Sequence, residues 1–318
     1  MRLGRRTFLM GAAGLFAIAP AADSASPANL PRRTLARTQV PVSILGIGMA
    51  PLGSGRTSPA EAASVVHAAV EMGINYVDVS PDYGDAEDKL KLVLGDTSLR
   101  DRIFLVTKVN PSAQDASGVQ RQIEKSMQRM GVDHVDAVHI HNLGDWDMAT
   151  VVGPGGTLAG LKEARQRGLI KHIGTSGHMR PARFVTALDT GDIDLCMNAL
   201  NFADRHTYDF EGLVLPAARK HNTAVVAMKV LGGAQDWRYD GHTPATLAAY
   251  HARAIRYSLG LPGVCTAVIG FGTVEEVRQA VAVARAYRPL SAVEREALLK
   301  EGKTLAQSHG LYYGPVQG

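Results

Sequence analysis

Three consecutive β-rich runs in this sequence end in residues that could act together. Ile74-Asn75-Tyr76-Val77 leads into Asp78, and Tyr83 follows in the loop five residues on. Phe104-Leu105-Val106-Thr107 ends at Lys108, and the next run ends in His139 and His141. A carboxylate, a phenol, an ammonium and an imidazole on one rim form a set for giving a proton to a carbonyl oxygen. A free phenol titrates near pH ~10 and is a poor acid at neutrality. An ammonium beside it favours the phenolate and pulls that pKa down. A carboxylate next to the lysine holds it and limits the cost of burying its charge. The imidazole can orient the carbonyl oxygen by hydrogen bonding. No side chain supplies hydride, so reduction by this set needs a nicotinamide cofactor. Each residue alone has a plainer role: a solvated strand end for Lys108, a turn cap for Asp78, a turn at Tyr83-Gly84. Their co-occurrence on adjacent strands points to chemistry.

Other chemistries compete for the same residues. His139-Ile140-His141 puts two imidazoles on one face of a strand, since side chains alternate, and His-x-His is a metal-ligand pattern. The cationic Lys108 nearby, and the lack of a third ligand on the rim beyond Asp78, count against a metal. His139 then reads as a hydrogen-bonded histidine one layer below the site. Lys108 could instead form a Schiff base, which would make the protein a lyase. A third reading keeps the barrel and drops turnover, leaving a protein that binds a small carbonyl or sugar ligand.

These side chains meet only if the strands that carry them lie side by side. The chain has 318 residues, 46% hydrophobic and 20% charged, an ordinary globular composition. Residues 34–41 read as a short hairpin, and Val42 to Gly48 as one buried strand. Ser58-Pro59-Ala60-Glu61 is a capping box with Pro at the first helical position, and Gly73 stops the helix it opens. Strands and helices then alternate. The later helices are expected at Phe210 to His221, Pro244 to Leu259 and Val274 to Tyr287, and Ser291 caps a last one. Counting from Val42 gives eight strands, each followed by a helix, with no linker to divide them. That is the pattern of a single-domain (β/α)8 TIM barrel with an N-terminal hairpin and a C-terminal extra helix. A doubly wound sheet usually carries a Gly-rich phosphate fingerprint after its first strand. Gly46-Ile47-Gly48-Met49-Ala50-Pro51 has no third Gly in register, and Pro51 would break the helix start.

At this point the sequence resembles the aldo/keto reductase family. Asp78, Tyr83, Lys108 and His141 have the order and context of its tetrad. The flanking text agrees: Leu45-Gly46-Ile47-Gly48-Met49-Ala50-Pro51-Leu52-Gly53, Val77-Asp78-Val79-Ser80-Pro81-Asp82-Tyr83-Gly84, and Gly168-Leu169-Ile170-Lys171-His172-Ile173-Gly174-Thr175-Ser176. The likeness runs from residue 33 to about 290. It implies Tyr83 as general acid, Lys108 and Asp78 tuning it, His141 orienting the substrate, and hydride transfer from NADP or NAD to an aldehyde or ketone. It also implies cofactor contacts at Met49, Ser176, Met228, Leu231, Gly232, Gly272 and Glu276. Several positions depart from the family pattern. Gly177 stands where an Asn is usual, Met197 where a Gln is usual, and Met228 where an aromatic ring stacks on nicotinamide. Gly270 and Glu276 stand where a Lys and an Arg grip a 2′-phosphate. Glu276 would repel that phosphate and could accept a ribose hydroxyl instead, which leans towards NAD.

Residues 1–28 read as an export signal. Arg5-Arg6-Thr7-Phe8-Leu9-Met10 precedes an apolar stretch from Gly11 to Ala19 and a tail of small residues. The paired arginines make it look like a twin-arginine signal, which exports folded proteins to the periplasm or beyond through the Tat machinery. The domain from residue 29 to 318 carries no other segment apolar enough to anchor it in a membrane. The net charge of +4 and pI of about 9.1 come without a long basic run or aromatic interleaving, so nucleic acid is not an expected partner. Cys196 and Cys265 are expected in the core, unpaired. His206 and Trp237, in the loops after the sixth and seventh strands, are expected to line the substrate mouth.

Overall fold

The runs at Phe104–Val109 and Val135–Ile140 are buried along their whole length. Strands need this when a core lies on both faces of the sheet. The computed structural model describes residues 29–53, 55, 57–111, 116–233 and 245–318. In it, eight parallel strands close into a barrel. They are β3 (Leu45–Gly48), β4 (Tyr76–Asp78), β5 (Phe104–Val109), β6 (Val135–Ile140), β7 (Ile170–Gly177), β8 (Leu195–Ala199), β9 (Ala224–Met228) and β10 (Val264–Gly270). Each pairs with its neighbour in sequence, and β10 returns to β3. The chain is a single-domain (β/α)8 barrel.

Helices cover the outside: α1 (Pro59–Glu71), α2 (Ala86–Leu94), α3 (Thr97–Arg100), α4 (Ala116–Met130), α5 (Met148–Val152), α6 (Thr157–Gln166), α7 (Pro181–Leu188), α8 (Phe210–Lys220), α9 (His251–Leu259), α10 (Val274–Arg285) and α11 (Ala292–His309). Local chemistry sets their ends. Both bonds of the capping box form at Ser58 and again at Ser291. Gly73 and Gly131 follow their helices at φ +102° and +70°, a region that Gly enters without a Cβ clash.

Two cores result. The larger lies between barrel and helices and holds Leu52, Val66, Leu90, Ile123, Leu161 and Phe184. The smaller fills the barrel with Tyr76, Phe104, Val106, Leu195, Met197 and Val226. Leu35 and Val42 belong to the inner core. They come from the hairpin β1 (Arg32–Thr34) and β2 (Pro41–Ser43). This hairpin plugs the end of the barrel where the strands begin. Arg33 donates to the carbonyls of Leu259 and Val264, the Cys265 thiol to that of Thr34, and the Arg37 amide to that of Asn222. Both cysteines are free and buried.

Two expectations need correction. The single strand expected at Val42 to Gly48 is two: residues 41–43 pair in the hairpin and residues 45–48 in the barrel. The break comes where the Asn75 side chain accepts from Ser43 N at 2.7 Å and the Ile44 amide turns to the Pro31 carbonyl. The helix expected from Pro244 begins at His251. Before it, the amides of Thr246 and Leu247 donate to the carbonyls of Gly233 and Leu231, so this segment folds against the loop after β9.

Candidate active site

Three adjacent strand ends build the site, and the loop after the first of them adds Tyr83. Parallel register sets Asp78 of β4 opposite Val106 of β5, and Lys108 of β5 opposite His139 of β6. Alternation then points Asp78, Lys108 and His139 into the barrel. Lys108 Nζ donates to both Asp78 oxygens, at 2.8 and 2.7 Å, and to the Val79 carbonyl at 2.9 Å. Its three N–H bonds are thereby occupied, which works against Schiff-base addition by this amine. Burial pushes the lysine down and the carboxyl up, and the contact between them opposes both shifts.

Tyr83 packs against this pair. The lysine nitrogen lies 4.7 Å from the centroid of the Tyr83 ring, over its face. The loop that carries Tyr83 is pinned at Gly53, where a Cβ would come 1.7 Å from the Tyr83 carbonyl oxygen. Only Gly lets the two backbones approach so closely. The phenol differs from the sequence expectation. Burial, then the charges of Asp78 and Asp82, push its pKa well above 10. The ammonium does not reverse this, because the Asp78 carboxylate it donates to offsets its charge.

His141 is buried and stands edge-on to Tyr83, with ring centroids 6.1 Å apart. Its Nδ1 lies 2.9 Å from Asp82 Oδ2 and 3.5 Å from Ser80 Oγ. Burial lowers its pKa, and the Asp82 hydrogen bond works against that. His139 lies one layer below, as expected, but neither ring nitrogen has a hydrogen-bond partner in the protein. Gly174 makes room for this ring, since a Cβ there would come 2.2 Å from His139 Cδ2. Burial and Lys108 hold His139 neutral. Among the described residues, no group of three or more His, Cys, Asp or Glu could hold a metal ion.

The positions expected to meet a cofactor line the same end of the barrel. Ser176 is buried on β7, with its hydroxyl 3.4 Å from the Ile140 carbonyl. Met49 is buried and donates its amide to Asp78 O at 2.9 Å. Met228 ends β9, and Leu231 and Gly232 form the loop beyond it. Gly232 has φ +77°, and a Cβ there would strike Thr246 Oγ1. Glu276 is exposed in the first turn of α10 and accepts from the Gly272 amide at 2.7 Å. Its carboxylate thus occupies the positive end of the helix, where an added phosphate would otherwise be welcome.

Several features escaped the sequence reading. Asp82 lies in the loop after β4, where no periodicity marks it. Lys229 follows β9 at φ +53°, and burial and Lys108 push its pKa down to about 8. Its one signal in the sequence is that it stands at a strand end, as Lys108 does. The residues after α11 fold back over the rim. Tyr313 stacks on His178 with centroids 5.1 Å apart, and its amide donates to Tyr208 Oη at 2.7 Å. A cavity of about 300 Å³ opens beside them, lined by Asn142, Gly144, Asp145, His178, Met179 and Tyr313. His206 is exposed and meets the Leu299 carbonyl at 3.0 Å, so it ties its loop to α11. Trp237 lies outside the described residues, as do residues 1–28.

Comparisons with known proteins agree with this fold. The sequence profile of the aldo/keto reductase family matches residues 44–252. L-galactose dehydrogenase of Arabidopsis thaliana is 24% identical, over 88% of this chain and 98% of its own. Pyridoxal 4-dehydrogenase of Microbacterium luteolum is 27% identical, over 79% of this chain and 92% of its own. Among solved structures, the holo form of an aldo-keto reductase from Bacillus halodurans superposes with a TM-score of 0.70 at 23% identity. That match covers 85% of this chain and 96% of the other, and shows the same barrel. The match spans well over half of the sequence, and residues 78, 83, 108 and 141 fall inside the range it covers: the chain belongs to the aldo/keto reductase family.

Proposed function

We propose that this oxidoreductase reduces an aldehyde or ketone of a polyhydroxylated, sugar-like compound, with Tyr83 as general acid and His141 orienting the carbonyl. The observation that carries the reading is the Asp78–Lys108 pair beneath the Tyr83 ring, with His141 edge-on beside it. Asp78 and Lys108 hold the ring and keep a compensated charge under it. The raised phenol pKa keeps the proton on Tyr83 until a carbonyl oxygen develops negative charge. A bound nicotinamide would supply the hydride.

The residues present fit such a cofactor. Ser176 offers a hydroxyl held by only one long hydrogen bond, Met228 a polarizable thioether, and Gly232 a left-handed turn without a side chain. A solved relative from Klebsiella pneumoniae is in complex with NADP and acetate. Here the Glu276 carboxylate favours a ribose without the 2′-phosphate. The sugar-like substrate rests on the cavity: the carboxamide of Asn142 and the carboxylate of Asp145 suit hydroxyl donors, and the stacked His178–Tyr313 pair suits a ring face. Relatives named L-galactose dehydrogenase and D-threo-aldose 1-dehydrogenase act on such compounds by their names.

Fluorescence titration of residues 29–318 with NADH and NADPH tests the reading. Binding of NADH tighter than NADPH is expected; no binding of either at millimolar concentration would overturn it. Residues 1–28 are read as a twin-arginine signal that delivers the folded barrel to the periplasm through the Tat machinery. Arg5-Arg6-Thr7-Phe8-Leu9-Met10 ahead of an apolar stretch supports this. Replacing Arg5 and Arg6 with Lys should leave the protein in the cytoplasmic fraction, and unchanged periplasmic delivery would remove the assignment.

A further inference from the structure

We propose that Asp82 is a positioning residue for His141: it holds the proton on Nδ1, so that neutral His141 accepts a substrate hydroxyl through Nε2 and donates to a carbonyl only as the imidazolium. The proposal rests on the reading of this rim as the reductase site. A carboxylate can only accept hydrogen bonds. The 2.9 Å contact between Asp82 Oδ2 and His141 Nδ1 therefore needs the hydrogen on Nδ1. In the neutral ring that leaves Nε2 as a bare acceptor.

Asp82 is itself held in place. Asn110 Nδ2 donates to both of its oxygens, at 3.1 and 2.9 Å. Asn110 is locked in turn by Gln122 of α4, which accepts from its amide at 2.9 Å and donates to its carbonyl at 3.0 Å. A chain of hydrogen bonds thus runs from a barrel helix through two strand-end loops to the imidazole. A neutral imidazole that donates to a carbonyl through Nε2 would have to leave Nδ1 bare, which this chain does not. This matters for direction. A carbonyl oxygen facing a neutral His141 meets two opposed lone pairs, whereas an alcohol hydroxyl finds an acceptor. Reduction then draws on the imidazolium and oxidation on the neutral ring, and Asp82 sets the pH at which one gives way to the other.

The other groups that face this ring do not share the role. Lys108 and the neighbouring His139 and His178 give it no anion, Asp78 is tied to Lys108, and Tyr83 meets it edge-on as a neutral phenol. Asp82 is the anion in direct contact with it, working against burial.

The test is 15N spectroscopy of the histidine rings across pH in the full chain, in wild type and in Asp82→Asn, with His141 assigned from the signals lost in His141→Gln. In wild type the neutral ring should carry its proton on Nδ1. Asp82→Asn should lower the His141 midpoint by about one unit or more, the usual scale for losing an opposite charge at this range. Asp82→Glu should restore much of it. An Nε2-protonated neutral ring in wild type, or an unmoved midpoint in Asp82→Asn with near-ultraviolet dichroism unchanged, would overturn the proposal. Neither readout uses cofactor or substrate. Failure of the reductase reading, seen as absent nucleotide binding, is therefore distinguishable from failure of this one.

Discussion

Tyr83→Phe should lower carbonyl reduction by about 10²–10⁴-fold, the range for loss of a positioned general acid, while nucleotide affinity stays within a factor of about two. The substitution removes one oxygen and keeps the ring. The aromatic face over Lys108, 4.7 Å from its nitrogen, remains, so the loop and the buried pair beneath it should not move. Steady-state turnover with a short aldehyde, beside fluorescence titration of the same preparation, separates the two effects. Equal turnover in the variant would remove Tyr83 as the acid. Equal loss of turnover and nucleotide binding would mean that the hydroxyl is structural.

Lys108→Met should cost both activity and about 3–5 kcal/mol of stability, because it leaves the Asp78 carboxylate buried without its partner. The sign of the pH dependence follows from burial. Deprived of the ammonium, Asp78 holds its proton more tightly in the folded chain than in the unfolded one. The deficit is therefore small below the ordinary carboxylate pKa of ~4 and grows as pH rises above it. Urea unfolding at several pH values, read against wild type, measures this. Adding Asp78→Leu removes the orphaned charge and should recover most of the stability and none of the turnover. A single variant as stable as wild type at neutral pH would show that the pair contributes nothing net to the fold.

Much of this molecule was legible in the sequence, for identifiable reasons. Helix starts at Ser58 and Ser291 and stops at Gly73 and Gly131 are local chemistry, and the barrel followed from their spacing. Asp78, Lys108 and His141 were legible because each ends an apolar run. Asp82 was not, because its role depends on a loop that has no period and on an asparagine 28 residues away. The direction of the Tyr83 shift was not legible either. It depends on burial and on the carboxylates beside the ring, and only the packed barrel sets those. The residues just before His251 carry an ordinary helical pattern, but the amides of Thr246 and Leu247 are claimed by carbonyls across the loop.

The hairpin plug has a consequence in time. Its residues leave the ribosome long before their partners: the carbonyl that Arg33 Nη1 binds at 2.6 Å belongs to Val264, 231 positions later. At roughly 5–20 residues per second, that is about 10–50 s of synthesis during which Leu35 and Val42 have no finished cavity to enter. An unclosed barrel also presents unpaired strand edges, which invite association with other chains. The plug therefore cannot guide the early stages of folding. It seats when the last strand arrives, and the open intermediate before that moment is the species a cell must shelter.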